Sequence, residues 1–153
     1  MVLAGLFACA FHAVRSGLVE VDGGQVVLLE YDGRRQPLIL SGEHAQIRGL
    51  DGCTVEVEGP RTPAGMVVNN WTVKDAGDGS SGFVGTLRAY GARILIDDRN
   101  TGTTLALDEL SALHLRAFAG RPVLLVGAVV GPGTISVVAW RPLDDPAGTD
   151  GAP

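Results

Sequence analysis

The side chains with the most potential for metal binding or nucleophilic chemistry are two cysteines and three histidines, and their spacing argues against both. Cys9 and Cys53 form no C-x-x-C pair, which a zinc site or a thioredoxin-like motif would need. His12, His44 and His114 form no H-x-x-x-H pair, so the sequence predicts no metal site. Cys53 falls in an apolar run and is interpreted as a small buried residue, with a Cys9–Cys53 disulfide as the alternative.

The adjacent carboxylates Asp97 and Asp98, in "IDDRNTG", raise the question of acid–base chemistry or a calcium loop. An EF-hand-like loop needs acidic or amide ligands at regular intervals and a closing Glu, which this stretch lacks. A turn that ends a strand explains the segment better. The chain also has no G-x-S-x-G nucleophile motif. We therefore predict no catalytic residue, no cofactor and no enzymatic activity.

Charge and composition argue against a protein built to neutralise phosphate backbones. The net charge is −5, and aromatic residues make up 5% of the chain. The charge is uneven: residues 16–75 carry nine acidic and five basic side chains, whereas residues 82–143 carry four and six. Both features argue against nucleic acid as a partner, although the second half is mildly cationic.

The N-terminal segment, residues 1–15, is strongly apolar, and "LFAC" at residues 6–9 resembles a bacterial lipobox. The resemblance implies export and lipidation of Cys9, giving a periplasmic or membrane-anchored lipoprotein and a membrane contact only through the lipid. Two departures weaken it, since no Lys or Arg precedes Arg15 and the apolar stretch is short. The alternative is a cytoplasmic chain in which residues 2–14 pack on the body as a helix or strand. Export is the leading interpretation.

Two stretches, "RGLDGCTVEVEG" at 48–59 and "RAFAGRPVLLVG" at 116–127, indicate an internal repeat. The matching landmarks are Gly17 with Gly82, Leu38 with Leu105, Gly52 with Gly120, Gly59 with Gly127, and Trp71 with Trp140. The predicted organisation is the apolar segment 1–15, a first unit over 16–75, a linker over 76–81, a second unit over 82–143 and a disordered tail over 144–153.

Each unit reads as three strands, a short helix and two more strands. In the second unit, Asp108 is the expected N-cap, Leu110, Leu113 and Ala117 share one helix face, and Gly120 ends the helix. This order resembles the OB-fold, a five-stranded Greek-key barrel with a helix between strands three and four. The predicted fold class is therefore mainly β, with two tandem OB-like barrels. An SH3-like barrel or one mixed sandwich stays open as an alternative.

The OB resemblance implies a ligand face on strands two and three and the adjoining loops. Single-stranded nucleic acid would need cationic and stacking side chains there. Each unit has only a few such residues at these places, which fits a solvated hairpin tip better than a binding groove. Binding of single-stranded nucleic acid is therefore kept as the alternative function. The residues that would form this face are Tyr31, Arg34 and Arg35 in the first unit, and Arg93 and Arg99, with Tyr90 nearby, in the second.

The two copies differ most in strand four. Glu56 and Glu58 alternate with valines in the first copy, whereas Leu124 and Val126 take their places in the second. Strands that are apolar on both faces are typically buried on both faces. In strand five, Val138 and Ala139 likewise replace Asn69 and Asn70.

We therefore predict an interface at Leu124, Val126, Val138 and Ala139, covered by the first unit, the N-terminal segment or another protein. Burial within the molecule is the leading form. The predicted function is a non-enzymatic, exported binding or scaffolding protein; an enzyme with an unrecognised site is the least favoured alternative.

Overall fold

The computed structural model describes residues 11–144, which fold into two closed five-stranded β-barrels. The first barrel contains β1 (His12–Asp22), β2 (Gln25–Glu30), β3 (Arg35–Ile39), a 3-10 helix (Gly42–Leu50), β4 (Thr54–Thr62), β5 (Gly65–Val67) and β6 (Asn70–Asp75). The second barrel contains β7 (Gly82–Tyr90), β8 (Arg93–Asp98), β9 (Thr103–Leu107), α1 (Glu109–Leu115), a 3-10 turn (Arg116–Phe118), β10 (Pro122–Gly131) and β11 (Thr134–Pro142).

The two barrels have the same connectivity. In the first, the strands follow the order β1-β2-β3-β5-β4 and the barrel closes through β1–β4 pairing. In the second, β7-β8-β9-β11-β10 closes through β10–β7 pairing. Each barrel has one parallel contact, β3 with β5 and β9 with β11, and each helix lies between the third and fourth strands. The predicted fold class, two tandem OB-like barrels, is confirmed.

Strand five differs between the copies. In the first barrel it is split into β5 and β6. Between them, the Val68 N–H donates to the Ile39 carbonyl oxygen on β3, and the next N–H, that of Asn69, donates to the Glu58 carbonyl oxygen on β4. In the second barrel β11 is continuous, and Val138 is the extra residue of a bulge opposite β10. The bulge turns Val138 out into solvent, where it is 81% exposed.

Two glycines allow the first strand of each barrel to pass close to the second. A Cβ at Gly17 would overlap the carbonyl oxygen of Leu29, and a Cβ at Gly85 would overlap that of Asp97. Gly17 therefore corresponds to Gly85. The predicted match of Gly17 with Gly82 is wrong, because sequence spacing cannot show which glycine meets a neighbouring backbone.

The strand register also corrects a second landmark. Leu38 pairs with Met66 in the parallel contact of the first barrel, and Leu107 pairs with Ile135 in the second. Leu38 therefore corresponds to Leu107 and not to Leu105. The remaining landmarks agree with the structure: Gly52 with Gly120, Gly59 with Gly127, and Trp71 with Trp140.

Helix α1 begins where the sequence predicts it, but it packs with a different face. The Asp108 carboxylate accepts a hydrogen bond from the Ser111 N–H at 2.8 Å, as an N-cap does. The buried residues are Ser111, Ala112 and Leu115, whereas Leu110 and Leu113 lie in solvent. The apolar face expected to contact the barrel is thus exposed.

The core consists of two clusters of buried residues. The second cluster is built from the second barrel alone, around Leu87, Ile96 and Leu125. The first cluster fills the first barrel and also includes Val84 and Leu124 from the second. The second barrel thus contributes apolar side chains from its outer surface to the core of the first.

Candidate interaction surface

The outer face of β7, β10 and β11, which we call the docking face, packs on the first barrel. Val84 and Leu124 oppose each other across β7 and β10 and are each 1% exposed. A Cβ at Gly82 would lie 3.1 Å from Leu124 and 3.3 Å from Val73 of the first barrel, so glycine permits this close packing. Burying two large aliphatic side chains outside their own barrel stabilises the contact by the hydrophobic effect.

Arg141 extends from the docking face into the first barrel. It lies opposite Leu124, and its guanidinium donates to the Asp51 carbonyl oxygen at 3.1 Å and to the Cys53 sulfur at 2.8 Å. Burial raises the pKa of the Cys53 thiol, and the Arg141 charge opposes that rise. Cys53 is fully buried and free, in agreement with its interpretation as a small core residue. Cys9 lies outside the described residues.

The turn after β8 makes a second polar contact between the barrels. The Asn100 side chain accepts from the Val73 N–H at 2.8 Å, and the Arg99 guanidinium donates to the Trp71 carbonyl oxygen at 3.2 Å. Arg99 also covers the Trp71 ring at 4.5 Å and lies 3.6 Å from Glu43. These side chains satisfy backbone groups on the free edge of β6, which closes that edge to other strands.

Asp98 fixes this turn. It is buried, and its carboxylate accepts hydrogen bonds from the Val84 N–H at 3.1 Å and the Thr101 hydroxyl at 2.7 Å. The segment is therefore a hydrogen-bonded turn and not a calcium loop. No group of three or more His, Cys, Asp or Glu side chains that could hold a metal ion occurs within residues 11–144.

Two clefts lie along the junction. The first, of about 320 Å³, is lined by Gly42, Glu43, Ala45, Gln46, Arg48, Pro122, Leu143 and Asp144. The second, of about 240 Å³, is lined by Asp51, Ala76, Leu124, Val126, Ala139, Trp140 and Arg141. Three of the four residues predicted to form an interface therefore line the same cleft.

The structure divides the four predicted interface residues into two groups. Leu124 is buried in the first cluster and Val126 packs partly buried against it, so the first barrel covers both. Val138 and Ala139 are exposed. The apolar character of Leu124 and Val126 is therefore explained within the molecule, whereas that of Val138 and Ala139 is not.

The exposed residues of β11 lie beside α1. The Ser111 hydroxyl accepts a hydrogen bond from the Val137 N–H at 3.0 Å, which joins β11 to α1. Leu110 is 64% and Leu113 is 71% exposed. We call the surface that carries the exposed side chains of Leu110, Leu113 and Val138 the apolar end. Ala139 lies instead in the junction cleft, opposite Val126.

Trp140 also differs from its counterpart in the first barrel. Its ring packs on Phe118 with centroids 4.2 Å apart. Trp140 is 37% exposed, whereas Trp71 beneath Arg99 is 1% exposed. The end of the second barrel is thus open where that of the first is covered.

The residues expected to form OB-type ligand faces lie in two groups, one on each barrel. Tyr31, Arg34 and Arg35 lie on the first barrel, where Arg34 pairs with Asp32 at 3.1 Å and Arg35 with Glu20 at 2.5 Å. Tyr31 is exposed at the tip of its hairpin.

The other three residues lie elsewhere. Tyr90 and Arg93 face each other at the start of the β7–β8 hairpin of the second barrel, and both are exposed. Arg99 is engaged in the junction between the barrels. Arg34, Arg35 and Arg99 therefore each already have a carboxylate partner.

Comparisons with known proteins add no family assignment. No protein-family model matches the sequence, and no curated protein matches it. Within residues 11–144, no helix has both the length and the apolar character needed to cross a membrane.

Proposed function

We propose that this protein is a non-enzymatic binding or scaffolding module that contacts another protein through the apolar end of its second barrel. The observation that carries the proposal is the exposure of Leu113 and Val138, two large aliphatic side chains on adjoining elements. Contiguous exposed apolar residues on a folded domain are typical of protein interaction sites. The duplicated barrels provide a rigid support for this surface.

The test compares the wild-type protein with the double variant Leu113→Glu/Val138→Glu as bait for cross-linking in native cells. Val14→Glu is the matched control, because Val14 is an exposed valine on a strand of the first barrel. A partner enriched by the wild type and by the control, and lost with the double variant, supports the proposal. Equal enrichment by all three proteins contradicts it.

Once a partner is purified, calorimetry measures the contribution of the surface. Fully burying one such aliphatic side chain contributes about 1.5–3 kcal/mol, so the double variant should weaken binding by at least about tenfold. An unchanged affinity would place the interface elsewhere.

We further propose that the protein acts after export, with Cys9 lipidated. The proposal rests on the lipobox-like residues 6–9. Mass spectrometry of the native N-terminus tests it directly. A lipid-modified Cys9 at the mature N-terminus is the expected result, and a cytosolic chain that begins at an unprocessed Met1 contradicts it.

A further inference from the structure

Helix α1 has apolar side chains on two opposite faces, and only one of these faces packs on the second barrel. Ala112 and Leu115 belong to the buried cluster of that barrel. Leu110 and Leu113, followed by Ala117, are exposed on the opposite face. We call these three exposed residues the outer stripe. A helix that is apolar all round is normally covered on all sides, so the outer stripe is expected to contact a partner.

The helical segment of the first barrel is amphipathic instead. The 3-10 helix Gly42–Leu50 lies at the corresponding place, between the third and fourth strands. Its buried residues are Ile47 and Leu50, whereas the charged residues Glu43 and Arg48 are exposed. This fold therefore permits a charged surface at this place, and the outer stripe is particular to the second barrel.

Opposite charges lie at the two ends of the outer stripe. Glu109 directly precedes the stripe, Arg116 lies near its far end, and both side chains are exposed. The step from residue 109 to residue 116 is about two helical turns, and Arg116 still has helical backbone angles, so both side chains flank the stripe on the same side. The Arg116 guanidinium donates to the Ala92 carbonyl oxygen at 2.8 Å, which holds the positive charge at that end.

We infer that the outer stripe binds the outer stripe of a second copy of this chain, with the two α1 helices antiparallel. A two-fold axis between antiparallel helices keeps the same flank of both helices on one side. Glu109 of each copy therefore faces Arg116 of the other, and the contact is the same for both copies. The leucines supply the apolar contact, and the two ion pairs set its direction. A parallel pair would instead bring like charges to the same level.

This inference rests on the proposed function, because it takes the apolar end as the contact surface and names a second copy as the molecule bound there. Val138 widens the contact, since β11 is joined to α1 by the hydrogen bond between Val137 and Ser111. The charges of α1 favour a second copy over an unrelated protein, because the chain itself carries both members of each ion pair.

The test uses two charge-reversal variants, each alone and then mixed in equal amounts. Glu109→Arg places like charges at both ion pairs of the symmetric dimer, and so does Arg116→Glu. In the mixture, a dimer with one copy of each variant has opposite charges at both pairs. Sedimentation velocity measures the weight-average mass as protein concentration rises. The wild type and the mixture should approach twice the monomer mass, whereas each variant alone should dimerise at least about tenfold more weakly.

Two further variants separate this contact from general effects of charge and folding. Glu30→Arg/Arg61→Glu reverses charges on the first barrel and should dimerise like the wild type. Leu113→Ser removes apolar contact without changing charge and should also dimerise at least about tenfold more weakly. A Leu113→Ser variant that dimerises like the wild type overturns the inference.

The inference is also overturned by a monomeric wild type, by single charge variants that dimerise like the wild type, or by a mixture no more dimeric than its components. It fails separately from the proposed function. A monomeric wild type that still loses a cross-linked partner through Leu113→Glu/Val138→Glu would overturn the inference and support the proposed function.

Discussion

Replacing Leu124 by alanine should destabilise the first barrel, although Leu124 belongs to a strand of the second. Leu124 is 1% exposed and lies in the cluster that fills the first barrel. Truncating a fully buried leucine to alanine costs about 2–5 kcal/mol, because the transfer energy of the side chain is lost and a cavity remains. A loss of about 3 kcal/mol of unfolding free energy lowers Tm by about 10 °C in a protein of this chain's length.

The matched control is Glu56→Ala, which truncates the side chain at the corresponding position of the first barrel. Glu56 is partly exposed and forms only surface contacts, to Ser16 and Lys74. Its removal should change the free energy of unfolding by no more than about 0.5 kcal/mol. The two variants therefore separate a buried junction residue from its solvated counterpart.

The assay follows Trp71 fluorescence during urea unfolding in a Trp140→Phe background. Trp71 is buried in the same cluster as Leu124 and therefore reports on the first barrel. The expected result is a lower midpoint for Leu124→Ala and an unchanged one for Glu56→Ala. A Trp71 transition that Leu124→Ala does not move would refute the assignment of Leu124 to the first barrel's core.

Three further predictions concern packing, thiol reactivity and pH. Gly127→Ala should lower the free energy of unfolding by about 1–3 kcal/mol, because the added Cβ would overlap the backbone of β11. Gly131→Ala should be nearly neutral, because a Cβ there would face open space. Thermal melts of both variants test this. Cys53 should react with a thiol reagent only after unfolding, since it is buried and its pKa is raised; rapid reaction of the native protein would contradict this. A hydrogen bond from Arg88 lowers the pKa of Asp97 in the folded protein. The ionised Asp97 therefore stabilises the fold fully above about pH 4, and this stabilisation is lost as pH falls through the folded-state pKa. Arg88→Gln should therefore reduce the acid sensitivity measured by denaturant titrations from neutral pH to pH 2, and an unchanged pH profile would count against the pairing.

Local patterns were sufficient to predict most strands and the second helix, whereas the barrel connectivity was predicted from the resemblance of their order to the OB-fold. Val55 and Val57 alternate with glutamates, which indicates a strand with one buried face and one face in solvent. The strand pairs in the same register in both copies. The predicted burial of the outer β10 residues depends on the same pattern, since continuous apolar character indicates contact on both faces.

What could not be predicted depends on contacts between distant parts of the chain. Helical periodicity shows that Leu110 and Leu113 share a face, but it does not show which face meets the barrel. Arg99 and Arg141 have no local signal for their roles, because each reaches across the junction to backbone groups of the first barrel. Gly82 has none either, since its close contact with Leu124 and Val73 exists only after both barrels fold.

The central claim is that the docking face joins the two barrels into one body and leaves the apolar end of the second barrel free. Backbone ¹⁵N relaxation measures the rotational correlation time of each barrel separately in the intact chain. The account predicts one common value for residues of both barrels, as expected for a single rigid particle. Two distinct and shorter correlation times, one for each barrel, would contradict it.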